Sequence, residues 1–202
     1  MEGRLPRLIA RRKRGDESFH VAGSSSGFDL NGFWSWSTSD LLSNATRGVL
    51  AEYVVAQALE AVGAEDVRTE WDAYDLVTPE GLKVEVKSSA FVQSWDQKTY
   101  SRPVFSIRPA RSWDASTGES SSEAIRAADV YVFSLLAHRD QDTIDPMDLG
   151  QWEFFVVGTD QLVERYGTQR SLSLTSLQSL TDSVRFQELR GAVLEAGVAQ
   201  EE

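Results

Sequence analysis

Three side chains that could act on a phosphate lie around one predicted turn. They are Asp75, Glu85 and Lys87, and the Pro-Glu-Gly sequence of residues 79–81 separates Asp75 from the other two. Because a turn here would fold the chain back as a hairpin, Asp75 would return to the side of Glu85 and Lys87. Two carboxylates with a nearby backbone carbonyl suit a hard cation such as Mg²⁺. A lysine beside such an ion can orient or help deprotonate an attacking water, or offset charge that builds on a phosphate.

The second arm of this hairpin has the two-residue alternation of a half-buried strand. Apolar and charged side chains alternate from Leu82 to Lys87, so Glu85 and Lys87 are neighbours on the polar face. Residues 74–78 are the expected partner strand. A Glu-x-Lys pair is also common on strand faces that only contact solvent. The alternation by itself therefore leaves both interpretations open.

A long helical pattern over residues 40–62 precedes the hairpin, with N-cap candidates in residues 37–40. The apolar face of this helix includes one carboxylate, Glu52. Burying such a charge is costly unless a cation binds it or pairs with it. Gly48, one turn earlier, would let another backbone or a ligand approach closely. Glu52 is therefore either part of a functional site or the partner of a structural arginine or of solvent.

The remaining pattern predicts an α/β fold, with a mixed central β-sheet flanked by helices. The most apolar run, residues 129–137, is expected to form a central strand. A short helix is predicted to end at Tyr166, and a C-terminal helix is predicted over residues 183–196. Further strands are predicted at residues 67–71, 104–107, 152–157 and 171–174.

The N-terminal residues differ in composition from the rest. Residues 1–27 are predicted to be a flexible basic arm that ends in a Gly/Ser-rich linker, before a single domain over residues 28–202. Residues 1–15 carry six Arg or Lys and one Glu, whereas the whole chain has a net charge of −11. Such an arm could bind phosphate, or could be a tail without a partner. Trp34 and Trp36 are expected to pin the next segment to the core, with stacking on bases as the alternative.

Composition excludes several classes of protein. The 202-residue chain has no cysteine, which excludes disulfides, iron–sulfur clusters, Cys-zinc sites and thiol catalysis. Two histidines are too few for a His-rich metal site. No stretch is long and apolar enough to span a membrane, and the first residues lack the apolar region of a signal peptide, so we expect a cytoplasmic protein. The negative net charge argues against a protein that only coats nucleic acid.

A carboxylate on the first long helix, an Asp on the next hairpin and Glu-x-Lys on its second strand resemble the core signature of the PD-(D/E)xK nucleases, the restriction-endonuclease-like superfamily. The matching residues are Glu52, Asp75, Glu85 and Lys87, and the resemblance covers about residues 38–110. It implies a restriction-endonuclease-like fold and the hydrolysis of phosphodiester bonds in nucleic acid, with DNA as the expected substrate. One departure is that Tyr74, rather than Pro, precedes Asp75.

The resemblance also implies a role for each residue of the signature. Asp75 and Glu85 would bind Mg²⁺ or Mn²⁺, together with the backbone carbonyl of Val86. Lys87 would position the attacking water and stabilise charge on the scissile phosphate. Glu52 would support the metal site or its waters.

Neighbouring residues supply further candidates. Asp72 competes with Asp75 for the metal position, and we prefer Asp75 because it begins the strand opposite Glu85. Many relatives carry a Gln and a Tyr on a following helix, but the spacing in this chain differs. The alternative for the arginines of this region, which their sequence context favours, is a solvated loop. The candidate contacts to nucleic acid are Gln93, Arg102, Arg108 and Arg111.

Two other interpretations stay open. The same fold could be a catalytically silent binding module or a subunit of a larger complex, because an acidic body repels a duplex. The charged residues of the signature could instead be an ordinary structural ion-pair group, which predicts no metal dependence. A homodimer is compatible with the nuclease interpretation, since two active sites are needed to cut both strands at once.

Overall fold

The computed structural model describes residues 8–68, 73–111, 113–114, 119–120 and 124–198. None of the helices in these ranges combines the length and the apolar character that crossing a bilayer requires. Single 3₁₀ turns lie at Leu149–Gln151 and Phe186–Glu188. The helices and strands, in chain order, are β1 (Ser18–Val21), β2 (Ser24–Asp29), α1 (Leu30–Thr38), α2 (Asn44–Ala58), β3 (Leu76–Val77), β4 (Lys83–Ala90), β5 (Val104–Ser106), β6 (Trp113–Asp114), β7 (Glu119–Ser120), β8 (Val130–Leu136), β9 (Trp152–Gly158), α3 (Thr159–Tyr166), β10 (Ser171–Ser173), α4 (Leu174–Gln178) and α5 (Leu189–Val198).

The centre of the fold is a four-stranded mixed sheet in the order β3-β4-β8-β9. β3 and β4 form the predicted antiparallel hairpin, with Leu76 opposite Val84. β4 then runs parallel to β8, and β8 pairs antiparallel with β9. The prediction of a mixed central sheet is confirmed, and residues 129–137 do contain one of its two inner strands.

Apolar side chains on both faces of the sheet explain why other elements cover it on both sides. Every residue of β8 is buried, as expected for a strand without a solvent-facing side. On one face, Val84 and Val86 of β4 pack in a core with Ala51 and Val55 of α2 and with Leu189 of α5. The helices α2 and α5 thus cover this face.

On the opposite face, a second core gathers side chains from α3, α4 and the separate β5-β10 ladder. Phe133 of β8 meets Phe105 of β5 edge-on, with 5.3 Å between the ring centroids. Leu162 of α3 and Leu177 of α4 are fully buried there. The sheet is therefore flanked on both faces, as the sequence predicted.

Several elements begin or end at other residues than the sequence pattern predicts. The predicted helix over residues 40–62 is shorter at both ends. It begins later because Ser43 caps α2 by accepting a hydrogen bond from the N–H of Thr46 at 3.4 Å, and it ends at Ala58. The C-terminal helix begins at Leu189, after a 3₁₀ turn, and not near residue 183. Of the strand predicted at residues 67–71, the first two residues are not in a strand and the others lie outside the described ranges.

The N-terminal segment also differs from the prediction. Residues 18–27, expected to lie in a flexible arm and linker, contain most of an antiparallel β1-β2 hairpin. Gly23 adopts φ 85° in its turn, a conformation that favours glycine. Trp34 and Trp36 are 37% and 83% exposed and α1 has no buried residue, so the expectation that they pin this segment to the core is wrong. The division of the chain into an arm and a single domain stays a prediction.

Candidate active site

The hairpin brings the carboxylate of Asp75 against the backbone of β4. The N–H of Asp75 donates to the carbonyl of Val84 at 3.0 Å, which extends the ladder one residue beyond β3. The N–H of Val86 in turn donates to Oδ2 of Asp75 at 2.7 Å. The Asp75 side chain therefore lies at the edge of β4, beside the backbone that joins Glu85 to Lys87.

Glu85 and Lys87 project from the face of β4 opposite to Val84 and Val86, which are 0% and 5% exposed. The carboxylate of Glu85 and the ammonium group of Lys87 form an ion pair. Their side chains are only 18% and 29% exposed, and Glu85 lies in register with Tyr131 of the buried strand β8. These two charges are thus partly desolvated, unlike charges on a freely solvated strand face.

The backbone carbonyl of Val86 is directed to the same edge of β4 as the Asp75 carboxylate. The N–H and C=O groups of successive residues in a strand point to alternate sides. The Lys83 carbonyl accepts from the N–H of Asp129 on the β8 side at 2.8 Å, whereas the Val84 carbonyl accepts from Asp75 on the β3 side. Val86, two residues further on, therefore presents its carbonyl on the β3 side, just beyond the start of β3.

Glu52 reaches this region from α2. Its carboxylate accepts two hydrogen bonds from Arg68, at 2.5 Å from Nε and 3.0 Å from the terminal nitrogen Nη2. The Glu52 side chain is 17% exposed and lines the same cleft as Asp75. The structure thus contains the arginine pairing that the sequence left open, and it places this pair next to Asp75.

The surroundings of Asp75 make its negative charge unfavourable. Burial has the largest effect on its pKa and raises it, and the carboxylate of Glu85 raises it further. Lys87 and the hydrogen bond from Val86 act in the opposite direction, and Glu52 adds a small upward contribution. The balance raises the pKa of Asp75 to about 6. A cation bound beside these carboxylates would favour the charged form of Asp75.

The donor atoms beside β4 are of the type that a hard divalent cation binds. Asp75, Glu85 and the Val86 carbonyl offer oxygen atoms, the ligand type of Mg²⁺, which usually keeps several waters. Within the part of the chain that the structure describes, no group of three or more Asp, Glu or His residues is placed as a metal cluster. The donors thus fit an ion that takes a few protein oxygens and completes its shell with water. Glu85 pairs with Lys87 through Oε1, so its second carboxylate oxygen would be the donor to such an ion.

Of the four candidate contacts to nucleic acid, one side chain is buried and three are exposed. Gln93 is 9% exposed, and its amide group bonds within the protein. Its Oε1 accepts from Arg47 at 3.1 Å, and its Nε2 donates to the Ala90 carbonyl at 2.9 Å. Because the amide group of Gln93 is buried and bonded within the protein, this side chain is poorly placed to contact nucleic acid. The side chains that are exposed are those of Arg102, Arg108 and Arg111.

Sequence reasoning missed three residues near the site. Arg47 occupies a buried position of α2 at 3% exposure, and a basic residue at helical spacing from the apolar positions was the signal for it. Arg68 follows no periodic pattern, so nothing marked it as the partner of Glu52. The pKa of the Tyr131 phenol is raised, chiefly by burial and then by Glu85, but Tyr131 lies within the most apolar run of the chain, which gave no sign of a role at the site. Asp72, the alternative to Asp75, lies outside the described residues.

Comparison with known proteins identifies a family. Residues 34–176, more than two thirds of the chain, match the family described as bacteriophage T4 endonuclease IV. None of the curated proteins matches the chain. The matched stretch contains α2, the β3-β4 hairpin, β8 and β9, and so includes every residue of the site described above. The chain therefore belongs to the bacteriophage T4 endonuclease IV family.

Proposed function

We propose that this protein is a metal-dependent nuclease that hydrolyses phosphodiester bonds in nucleic acid, with DNA as the expected substrate. Membership of an endonuclease family supports a nuclease that acts on nucleic acid. The assignment of the active site rests on the hydrogen bond from the Val86 N–H to Asp75, because this bond brings the Asp75 carboxylate beside Glu85 and Lys87. A PD-(D/E)xK nuclease with a restriction-endonuclease-like fold would use such an arrangement, and both assignments are part of the proposal.

The edge of β4 is assigned as the metal site. Asp75, Glu85 and the carbonyl of Val86 would hold Mg²⁺ or Mn²⁺ there. A bound ion would polarise the scissile phosphate and lower the pKa of an attacking water. The contribution of the protein is preorganisation, since the Val86 N–H already holds the Asp75 carboxylate in place before any ligand arrives.

The role assigned to Lys87 is to contact the attacking water and the scissile phosphate. Its ammonium group has three N–H donors, so it can keep one contact with Glu85 while it donates to substrate or water. The side chain is 29% exposed, which leaves the ammonium group accessible but partly desolvated. A partly desolvated cation interacts more strongly with charge that develops on a phosphate than a cation in bulk water does.

Glu52 is assigned a supporting role at the same site. The two hydrogen bonds from Arg68 orient its carboxylate, and Glu52 and Asp75 line one cleft. From this position Glu52 can accept hydrogen bonds from waters of the metal shell. Its negative charge also adds to the field that favours a cation near Asp75.

The second candidate function is a catalytically silent binding protein with the same fold. The observation that favours it is the internal pairing of the charged groups, Lys87 with Glu85 and Arg68 with Glu52. A structural ion-pair group would have the same contacts, and the net charge of −11 opposes binding to a duplex. This candidate predicts neither bound metal nor cleavage.

A cleavage assay separates the two candidates. Circular and linear duplexes, single strands and RNA are incubated with the protein in Mg²⁺, in Mn²⁺ and in EDTA. Lys87→Ala is compared with Lys83→Ala, a matched control because Lys83 is an exposed lysine on the same strand. Metal-dependent cleavage that is lost in Lys87→Ala alone supports the nuclease. If neither metal allows cleavage and neither stabilises the protein, the ion-pair group becomes the better explanation.

The oligomeric state, the domain division and the cellular location also belong to the proposal. A homodimer would present two active sites to the two strands of a duplex, and light scattering over a range of concentrations would measure its mass. The division into a basic arm, residues 1–27, and a single domain, residues 28–202, can be tested by limited proteolysis. A cytoplasmic location stays a prediction.

A further inference from the structure

An open pocket of about 780 Å³ lies at the carboxyl ends of β4 and β8. Its lining includes Phe91, Tyr100, Arg102 and Arg139, and none of the residues assigned above to chemistry contributes to it. Phe91 directly follows β4, and the residue after β8 also lines the pocket. The volume lies within the range of sites that bind small molecules or single units of a polymer.

Arg139 is the centre of a cluster of aromatic and cationic side chains. The carbon of its guanidinium group lies 4.0 Å from the ring centroid of Phe91 and 5.8 Å from that of Tyr100. Both distances allow a cation–π interaction, which positions Arg139 without a carboxylate. In the described ranges neither Arg139 nor Arg102 forms a salt bridge, and both are exposed. Their N–H donors are thus available to an anion such as a phosphate.

Tyr100 adds a flat surface beside the two arginines. It is 53% exposed, and exposed aromatic rings of this kind stack on nucleobases. Glu153 is the carboxylate that lines this pocket, and Asp140 and Asp142 line an adjoining pocket that shares Tyr100 and Arg139. Asp140 accepts a hydrogen bond from the Thr143 hydroxyl at 2.8 Å, which holds its carboxylate within its own turn. Within the lining itself, Arg102 and Arg139 outnumber the single carboxylate, that of Glu153.

The pocket lies on the same face of the sheet as the side chains of Glu85 and Lys87. Leu135 lines the pocket and belongs to the core that contains Tyr131, the residue in register with Glu85. Phe91 comes four residues after Lys87, which corresponds to about 13 Å along an extended chain. A nucleic-acid strand bound at Lys87 could thus place a neighbouring nucleotide in the pocket, but the scissile phosphate itself would stay outside it.

We propose that this pocket binds the phosphate and the base of a nucleotide that flanks the scissile phosphodiester. The proposal rests on the proposed nuclease function and adds to it a binding subsite separate from the chemistry. Arg102 and Arg139 contact the phosphate, and Tyr100 stacks on the base. Loss of these side chains should weaken substrate binding, while Asp75 and Lys87 remain in place.

Equilibrium binding of a fluorescently labelled oligonucleotide tests the subsite without any cleavage. The full chain is titrated in EDTA, and fluorescence anisotropy is measured at several salt concentrations. Arg102→Ala, Arg139→Ala and Tyr100→Ala should each weaken binding about fivefold or more. Each arginine variant should also reduce the slope of log K against log salt by about 0.7–0.9. Arg165→Ala is the matched control, because Arg165 is an exposed arginine of α3 that does not line the pocket.

Conservative variants separate a binding role from a structural role. Arg139→Lys should keep the salt slope but lose part of the affinity, because an ammonium group lacks the planar fork of a guanidinium. Tyr100→Phe should bind like the wild type, since the stacking surface is retained. Thermal unfolding shows whether each variant is folded. A variant that unfolds early is replaced by its conservative counterpart in the comparison.

The outcomes for the subsite and for the nuclease are distinct. Variants of Arg102, Arg139 and Tyr100 that bind and cleave like the wild type would overturn the subsite and leave the nuclease intact. A wild type that binds no oligonucleotide in EDTA would also count against the subsite. Weakened binding in these variants, with no cleavage by the wild type in any metal, would instead overturn the nuclease proposal.

Discussion

The N–H of Val86 lies 2.7 Å from the carboxylate oxygen Oδ2 of Asp75, although eleven positions separate the two residues. This hydrogen bond extends the hairpin beyond β3 and holds the carboxylate at the edge of β4. Asparagine at position 75 would keep an oxygen that can accept this hydrogen bond, but it would lack the negative charge. The charge of Asp75 can therefore be tested apart from its geometry.

The raised pKa of Asp75 predicts a pH-dependent stability. Its pKa in the folded protein is about 6, above the ordinary value of 3.8, so the folded state binds this proton more tightly than the unfolded chain. The stabilisation from the protonated group is complete below about pH 4 and is lost as the pH rises to about 6. Without metal, Asp75→Asn should therefore have a higher Tm than the wild type above pH 7, and a smaller fall of Tm between pH 4 and pH 6.

Thermal unfolding in EDTA from pH 4 to pH 8 measures this effect. Asp182→Asn is a suitable control, because Asp182 is an exposed carboxylate. It should leave the pH profile of Tm unchanged. Identical profiles for Asp75→Asn and the wild type would show that Asp75 titrates normally.

Millimolar Mg²⁺ or Mn²⁺ should raise the Tm of the wild type. An ion that binds only the folded state stabilises it by mass action, by about 2.7 kcal/mol when its concentration is a hundred times its Kd. The rise should be larger at pH 8 than at pH 5, because protons compete with the ion for Asp75. Asp75→Asn and Glu85→Gln should each remove most of the rise. Glu164→Gln, on the exposed side of α3, should retain it, and a rise that persists in the first two variants would place the ion elsewhere.

Lys87→Ala should lower kcat about 10²–10³-fold with little change in KM, as expected for a group whose contact strengthens in the transition state. Single-turnover and steady-state cleavage in Mg²⁺ would separate the two parameters. Binding of the oligonucleotide in EDTA should stay near the wild-type value, in contrast to the variants of Arg139. An equal loss of binding and of kcat/KM in Lys87→Ala would instead indicate a role in holding the substrate.

Arg47 should be important for stability. It is 3% exposed, burial lowers the pKa of its guanidinium, and it donates to the Leu42 carbonyl at 2.9 Å, to Gln93 at 3.1 Å and to Asn44 at 2.6 Å. Truncation would leave these acceptors unsatisfied. Arg47→Ala should therefore lower the free energy of unfolding by about 3 kcal/mol. Urea denaturation would measure this loss, and Arg108→Ala, at an exposed position, should change stability by less than about 0.5 kcal/mol.

The hairpin and its charged residues could be predicted because the signals are local. The turn at residues 79–81 and the alternation that follows it are sufficient to bring Asp75 next to Glu85, since neighbours along the chain decide both. The apolar run of β8 likewise indicates a strand buried on both faces. The bounds of α2 were less well predicted, because one side chain, that of Ser43, determines where the helix begins.

The sequence by itself thus determined the β3-β4 hairpin, the inner strand β8 and the residues that could do chemistry. Only the tertiary structure decided that β4 lies parallel to β8, which partly buries Glu85 and Lys87. It also decided that Arg68 pairs with Glu52, and that Arg139 stacks on a ring from another segment. The physical reason is that these contacts join segments that are distant along the chain. Their pairing depends on how the whole core packs, and no local pattern encodes it.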